Sequence, residues 1–333
     1  MRIAVVGAGA IGAFVGACVA RGGTETHLVA RGEHLAAMRT RGVRVTGPEG
    51  DFRVDVHATD DPREIGTVDV IFLGLKAYSY AGAGRLLKPL MGPQTGVIAA
   101  QNGIPWWYFH GHGGPLDGRR LESVDPGGAV SATIPAERAI GCVVYPATEL
   151  AAPGVVRHIE GNRISIGEPD RTDSERCRRV CEAMTAGGLK CRVSKDLRGE
   201  IWVKLLGNAT FNPLSALTGA TMAELCAFAP TRELLAEMMG EVAAVAEAVG
   251  YPPRISIERR LEGAESVGEH KTSMLQDLEA GKRLELDVLV GAVLEIGAMV
   301  GVDLPRLRAV HAATALLDRG RRNVMSTARS PAA

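Results

Sequence analysis

The stretch Arg2-Ile3-Ala4-Val5-Val6-Gly7-Ala8-Gly9-Ala10-Ile11-Gly12-Ala13-Phe14-Val15-Gly16-Ala17-Cys18-Val19-Ala20 decides the fold. Arg2 to Val6 reads as a buried strand, and Ala10 to Ala20 as a helix. The turn between them has the form G-x-G-x-x-G. In that position each glycine has a separate task. Gly7 permits the tight turn, Gly9 lets backbone approach a pyrophosphate, and Gly12 lets helix and strand pack closely. The helix N-terminus then faces the phosphates. The same run is apolar from Ile3 to Ala20 behind Arg2, which is also the look of a signal peptide or a short membrane span. The glycine spacing explains it better, and the targeting reading is rejected.

Outward from this unit, short apolar runs alternate with helical patterns. Thr26 to Ala30, Val68 to Leu75 and Gly96 to Ala100 read as strands, Arg31 to Thr40 and Ala77 to Met91 as helices. Strands without polar alternation, separated by helices, indicate a parallel sheet covered on both faces. The fold class is α/β, a Rossmann-like doubly wound sheet. Ala139 to Tyr145, Val155 to Ile159 and Arg163 to Ile166 read as further strands, antiparallel because their connections are short. After Lys195 the pattern turns to long helices, including Asp196 to Asn212, Thr231 to Val249, Leu284 to Val300 and Pro305 to Asp318. The expected organisation is a dinucleotide-binding domain over 1–195, an all-helical substrate and catalytic domain over 196–320, and a disordered tail over 321–333.

Composition narrows the function. Apolar residues make up 46% and charged residues 23% of 333, which excludes a disordered chain, a collagen and a small disulfide scaffold. Lys plus Arg and Asp plus Glu both number 38, so no net charge draws the chain to nucleic acid or an anionic membrane. Aromatics at 4% offer little base-stacking surface. The six cysteines form no C-x-x-C pair, and Cys177 and Cys181 share a helix face without a nearby histidine. Buried reduced thiols in a cytoplasmic protein, with no metal, are the better reading.

Arg31 stands at the end of the second strand, where NAD-binding units carry an acid for the ribose 2′-hydroxyl. A guanidinium there suits a 2′-phosphate and favours NADPH; the alternative is a solvated Arg31 with Glu33 reaching the ribose. Lys76 and Asn102 follow the next two strands, at the carboxyl ends where ligands of open α/β sheets bind. Trp106, Trp107, Tyr108 and Phe109 head an irregular, glycine-rich connection to Gly128 and either cap the sheet edge or form a lid or pocket wall. In the helical half, Lys204, Asn208 and Asn212 stand at i, i+4 and i+8 of an apolar helix, one donor-rich stripe. A surface stripe is the alternative, but Asn is a poor helix former without a task there.

Gly7 to Gly12, Leu75-Lys76-Ala77, Gln101-Asn102-Gly103, Trp202-x-Lys204-Leu205-x-x-Asn208-x-x-x-Asn212-Pro213-Leu214, Ser273-Met274-Leu275-Gln276-Asp277 and Glu285-Leu286-Asp287 occur in this order. Together they resemble the ketopantoate reductase (2-dehydropantoate 2-reductase) family from Met1 to about Asp318. The resemblance implies NADPH-dependent reduction of 2-dehydropantoate to (R)-pantoate, in pantothenate and coenzyme A synthesis. It implies a catalytic Lys204, with Lys204, Asn208, Asn212 and Ser273 on the substrate. Gly7, Ala8, Gly9, Ala10, Ile11, Gly12, Arg31, Lys76, Asn102, Ala147 and Glu285 would bind the cofactor, in a cleft between the domains. Ser79, Met222 and the insertion to Gly128 depart from the family's compact members and bear on the exact substrate. A 2-oxoacid reductase of another specificity and a non-catalytic NADP(H)-binding protein are the alternatives.

Hydride addition to a ketone develops alkoxide charge, which a lysine ammonium stabilises and protonates. Ser273 and Glu285 lie twelve residues apart, about 18 Å along one straight helix, so a break at Gly281 is expected. The alternative for Ser273 is an N-cap. The apolar helix Leu284 to Val300 is read as core in preference to a homodimer seam.

Overall fold

The computed structural model describes residues 1–266 and 268–329, with 322–329 by backbone alone. The chain divides into two compact units: Met1–Arg120 with Asp125–Leu197, and Leu121–Val124 with the chain from Arg198 onward.

The first unit contains strands β1 Arg2–Val6, β2 Glu25–Val29, β3 Val43–Thr46, β4 Phe52–Val54, β5 His57–Thr59, β6 Val68–Leu73, β7 Met91–Ala99, β8 Ala139–Val144, β9 Ala147–Ala152, β10 Val155–Glu160, β11 Arg163–Gly167 and β12 Lys190–Val193. Eight of them form one sheet in the order β12-β11-β8-β7-β6-β1-β2-β5. β5, β2, β1, β6, β7 and β8 run parallel, and β11 joins β8 antiparallel. Helices α1 Ala10–Arg21, α2 Gly32–Arg41, α3 Gly84–Leu87, α4 Ala129–Thr133 and α5 Glu175–Ala186 belong to the same unit. Val5, Phe14, Leu28, Phe72, Ile98 and Val180 are buried in its core. Each such side chain contributes about 1.5–3 kcal/mol by leaving water. Gly16 has no Cβ because Leu28 Cδ2 would lie 2.5 Å from it, so α1 sits tight on the sheet.

Three readings of this half are corrected. The single helix expected over Ala77 to Met91 is replaced by 3-10 turns at Ala77–Ser79 and Lys88–Leu90 around the one-turn α3. Gly82, Gly84 and Pro89 interrupt it, and Met91 already opens β7. The strands after Ala139 do not form one antiparallel set. β10 pairs antiparallel with β9 and parallel with β3, giving a second sheet β4-β3-β10-β9 that packs on α1. There Phe14 stacks on His158 at 4.7 Å and the Arg21 guanidinium lies 4.1 Å above Phe52. Lastly, Trp106, Trp107, Tyr108 and Phe109 are all buried, with Trp106 Nε1 donating to Ile134 O at 2.9 Å. They are core, and a lid built from them is excluded.

All six cysteines are free, and burial pushes the Cys18 and Cys177 thiols up to about 12. Beside Cys177, Glu168 is 6% exposed and accepts from Arg176 and from the Ser174 hydroxyl. Burial alone would raise its carboxyl, but the hydrogen bonds from Arg176, Ser174 and Cys177 and the Arg176 charge outweigh it and hold the carboxyl low. A depressed carboxyl contributes stability above its unfolded pKa and loses it as pH falls through the folded value. Arg176→Met should cost on the order of 2 kcal/mol, below the roughly 3–5 of a fully buried pair because Arg176 is one-third exposed. It should also flatten the acid limb of a Tm-against-pH curve. An unchanged limb would show that the pair does not carry this stability.

The second unit is helical: α6 Leu197–Asn208, α7 Phe211–Thr218, α8 Met222–Ala227, α9 Ala229–Ala248, α10 Ile257–Ser266, α11 Ser273–Glu279, α12 Ala292–Val300 and α13 Pro305–Arg329. The helix expected over Asp196 to Asn212 is two. It stops at Asn208, Ala209 and Thr210 turn, and α7 starts at Phe211. Pro213 has no N–H to offer the Ala209 carbonyl, and its ring would clash there, so one helix cannot run through. Thr210 fills the corner, its hydroxyl donating to Leu206 O at 2.6 Å. The helix expected from Leu284 opens at Leu286 and passes through a π-turn, Asp287–Gly291, before α12. α12 buries Val293 and Ile296. Of the disordered tail expected over 321–333, residues 321–329 are instead helical in their backbone, there being no glycine or proline between Arg321 and Arg329 to stop α13; residues 330–333 of that expectation lie outside the described residues.

Candidate active site

In the first unit the glycine turn is built by close approach. Gly7 has φ +89, and a Cβ there would lie 2.6 Å from the Leu75 side chain. A Cβ on Gly12 would lie 2.2 Å from Gly7 O, and one on Gly74 would lie 2.3 Å from the same oxygen. The amides of Gly7 and Ala8 both donate to Val29 O at 3.2 Å, which ties the turn to the end of β2. Gly9 differs: a Cβ there would meet nothing within 4 Å. It is the N-cap of α1, with no side-chain cap and no acid in the first turn. The first-turn amides therefore keep their hydrogen-bonding capacity and the helix dipole is not neutralised, as a bound phosphate requires.

Register brings the other first-unit candidates to the same edge. Val6 pairs with Val29 and with Leu73, and Leu73 pairs with Ala99. The chain leaving β1, β2, β6 and β7 thus carries Gly7, Arg31, Lys76 and Asn102 past adjacent carboxyl ends. Arg31 is the exposed N-cap of α2, extended at φ −149, and Glu33 is exposed in the first turn. Lys76 and Asn102 are half-buried. Ala147 opens β9 in the second sheet, away from this edge in strand order.

Two side chains of this unit were given no role in the sequence reading. Gln101 is buried, its amide donates to Ile104 O at 2.9 Å, and its Oε1 has no partner. His34 accepts from Gly154 N–H at 2.9 Å on Nδ1, while its buried Nε2 has no hydrogen-bond partner. Burial lowers its pKa, against a smaller upward pull from the Ala8 backbone. A histidine three residues after Arg31 carries no sequence signal of this role, whereas Gln101 stood next to the candidate Asn102.

In the second unit Lys204 and Asn208 remain one turn apart on α6, both half-buried, while Trp202, Leu205 and Leu206 anchor the helix in the core. Asn212 stands on α7, so the straight three-residue stripe is bent between Asn208 and Asn212. Asn212 is 5% exposed and its Nδ2 is buried without a partner, an orphaned donor that stripe logic could not predict. α11 packs on α7. Ser273 is exposed at the first position of α11, and the cap considered for it belongs to Thr272, whose hydroxyl accepts from Leu275 N–H at 3.2 Å. Gly281, at φ +66, breaks the chain after α11, and Glu285 lies half-buried in the irregular segment before Leu286.

α12 carries another feature that the sequence reading missed. Glu295, the one charged residue between Val288 and Val300, accepts from Glu122 N–H at 2.7 Å, Ser123 N–H at 2.8 Å and the Ser123 hydroxyl at 2.5 Å. It fastens Leu121–Val124, part of the glycine-rich insertion, into the helical unit. A lone acid in an apolar helix was the available signal. Among the described residues no cluster of three or more His, Cys, Asp or Glu could hold a metal, and no helix is long and apolar enough to cross a membrane.

Residues 3–171 match the family model described as Ketopantoate reductase PanE/ApbA, and residues 196–318 match its C-terminal counterpart. The chain is 49% identical over 313 residues to 2-dehydropantoate 2-reductase of Mesorhizobium japonicum, covering 94% of this chain and 96% of that protein. A crystal structure assigned as a ketopantoate reductase of Ralstonia solanacearum MolK2 is 37% identical with TM-score 0.89, covering 96% and 98% of the two chains. That of 2-dehydropantoate 2-reductase from Geobacter metallireducens is 30% identical with TM-score 0.83, covering 95% and 99%. The chain belongs to the ketopantoate reductase family.

Proposed function

We propose that this protein reduces the ketone of 2-dehydropantoate to (R)-pantoate with NADPH, in the cytoplasm. The whole-length likeness to the Mesorhizobium japonicum enzyme carries the choice of substrate. The orphaned Asn212 Nδ2 supports a polar ligand in the helical unit, since a buried donor is costly to leave unpaired. Six free cysteines support a reducing compartment.

The first unit's residues fit a dinucleotide: space at Gly9, an uncapped helix N-terminus, and Arg31, Lys76 and Asn102 along one edge. Ala147 and Glu285 complete the proposed cofactor set. The nicotinamide supplies a hydride when bound. Lys204 holds the proton destined for the carbonyl oxygen and stabilises the charge that develops there. Asn208, one turn along α6, orients Lys204 or the same oxygen, and Asn212 and Ser273 donate to the hydroxyl and carboxylate of the acid. NADPH oxidation with 2-dehydropantoate, run beside a panel of other 2-oxoacids, tests the reading. A better kcat/KM on another member of the panel would reassign the substrate.

Cofactor choice is separately testable. Arg31 stands where an acid would hold the ribose of NADH, so NADPH should bind at least tenfold tighter, about 1.4 kcal/mol. Arg31→Ala should erase most of that preference. Equal binding by the wild type would transfer the ribose contact to Glu33.

A further inference from the structure

We infer that His27 and His57 form a two-histidine site for a divalent transition metal of the zinc class, which staples the last strand of the large sheet to its neighbour. β5 ends that sheet, is three residues long and pairs with β2 alone. In this parallel pair His57 stands opposite His27. Their Nδ1 atoms lie 3.2 Å apart, and the rings are nearly perpendicular, at 77° with centroids 5.2 Å apart. The His27 side chain is 12% exposed and His57 is exposed, so solvent reaches the pair along the sheet edge.

The tautomer of His27 is set from the far side of its ring. Glu25, two residues earlier on β2, projects from the same face of the strand. Its Oε1 lies 3.0 Å from His27 Nε2 and 2.8 Å from Arg2 Nε. Arg2, and then His27, hold the Glu25 carboxyl below the usual carboxylate range, so it acts as an acceptor. The ring proton of His27 therefore sits on Nε2, and Nδ1 turns a lone pair toward His57. A carboxylate behind one ring nitrogen is what orients a metal-bound histidine and raises its basicity. Without metal, His57 Nδ1–H donates to that lone pair. A metal replaces the shared proton once His57 carries its own on Nε2, the other tautomer of a neutral imidazole.

The spacing suits this exchange. Two nitrogens about 2.0–2.1 Å from zinc stand about 3.3 Å apart at a tetrahedral angle and about 2.9 Å apart at a right angle. The observed 3.2 Å lies between these values. Imidazole suits zinc, copper and nickel, whereas magnesium and calcium take oxygen ligands. No cluster of three or more such ligands exists among the described residues, so water completes the shell. The metal is held by chelation between two strands and not by a closed cage.

The test titrates folded, metal-free protein with Zn²⁺, read by calorimetry and native mass spectrometry, with Mg²⁺ as the control. Wild type should bind a single Zn²⁺ more than His27→Gln or His57→Gln, and Mg²⁺ should give no such difference. Counting against the variants removes any zinc that the six thiols hold. His57→Gln lies on the exposed edge and keeps the fold if the more buried His27→Gln does not. Glu25→Ala should weaken the same zinc roughly tenfold or more, the usual effect of losing a carboxylate behind a metal-bound histidine. Excess Zn²⁺ should also raise the Tm of wild type more than that of His57→Gln, because a metal bound to the folded chain stabilises it. Equal zinc counts in wild type and His57→Gln would overturn the site, and undiminished affinity in Glu25→Ala would overturn the part given to Glu25.

Discussion

Lys204→Ala is expected to lower kcat by roughly 10² or more, the scale of a lost general acid, with NADPH Kd within about threefold of wild type. The expectation follows from where the residue sits. α6 is fixed by fully buried Trp202 and by Leu205 and Leu206, so its polar side cannot drift to compensate. Truncating a half-buried side chain on that side removes the proton and the charge together without opening the core. Lys204→Arg separates the two. It keeps the charge but, with a pKa above about 12, gives up its proton poorly. An arginine variant as slow as the alanine variant assigns the rate to proton delivery; one near wild type assigns it to electrostatic stabilisation. Near-normal turnover of both variants would remove Lys204 from the chemistry.

The sequence was most legible where backbone does the work. G-x-G-x-x-G after an apolar strand fixes turn, helix and close packing together, and Gly7, Gly12 and Gly74 meet within the distances that such a turn demands. The parallel core followed because buried strands cannot alternate. Helix breaks were legible in principle and misread. Pro213 and the Gly82–Pro89 segment both carry the residues that interrupt helices, but apolar periodicity continues across them and hid the interruption. The second sheet was not legible at all. β3 and β10 lie more than a hundred residues apart in sequence, and no local pattern encodes that pairing. The site divides the same way. Residue types at strand ends point to a cofactor edge, whereas the orphaned Asn212 donor and the Glu295 clasp depend on what packs opposite them.

Gly9→Ala and Gly12→Ala should part company in a way that separates ligand space from fold. Both lie in one hexapeptide, and a sequence argument treats them alike. The structure does not: a methyl at Gly9 meets nothing within 4 Å, and its φ of −71 suits any L-residue. Gly9→Ala should therefore keep Tm within a degree or two, yet weaken NADPH at least tenfold, because the methyl occupies the face along which a pyrophosphate must approach α1. A methyl at Gly12 lands 2.2 Å from Gly7 O, on backbone that cannot swing aside, and 3.1 Å from the Val5 side chain. Relief requires α1 to lift from β1, at a cost toward the upper end of the roughly 1–3 kcal/mol of overpacked cores or beyond. Gly12→Ala should lower Tm by several degrees and abolish measurable NADPH binding. Thermal unfolding with and without NADPH reads both effects in one experiment, since a ligand raises Tm only where it binds. A Gly9→Ala protein whose Tm still rises with NADPH as the wild type's does would take the pyrophosphate away from the N-terminus of α1.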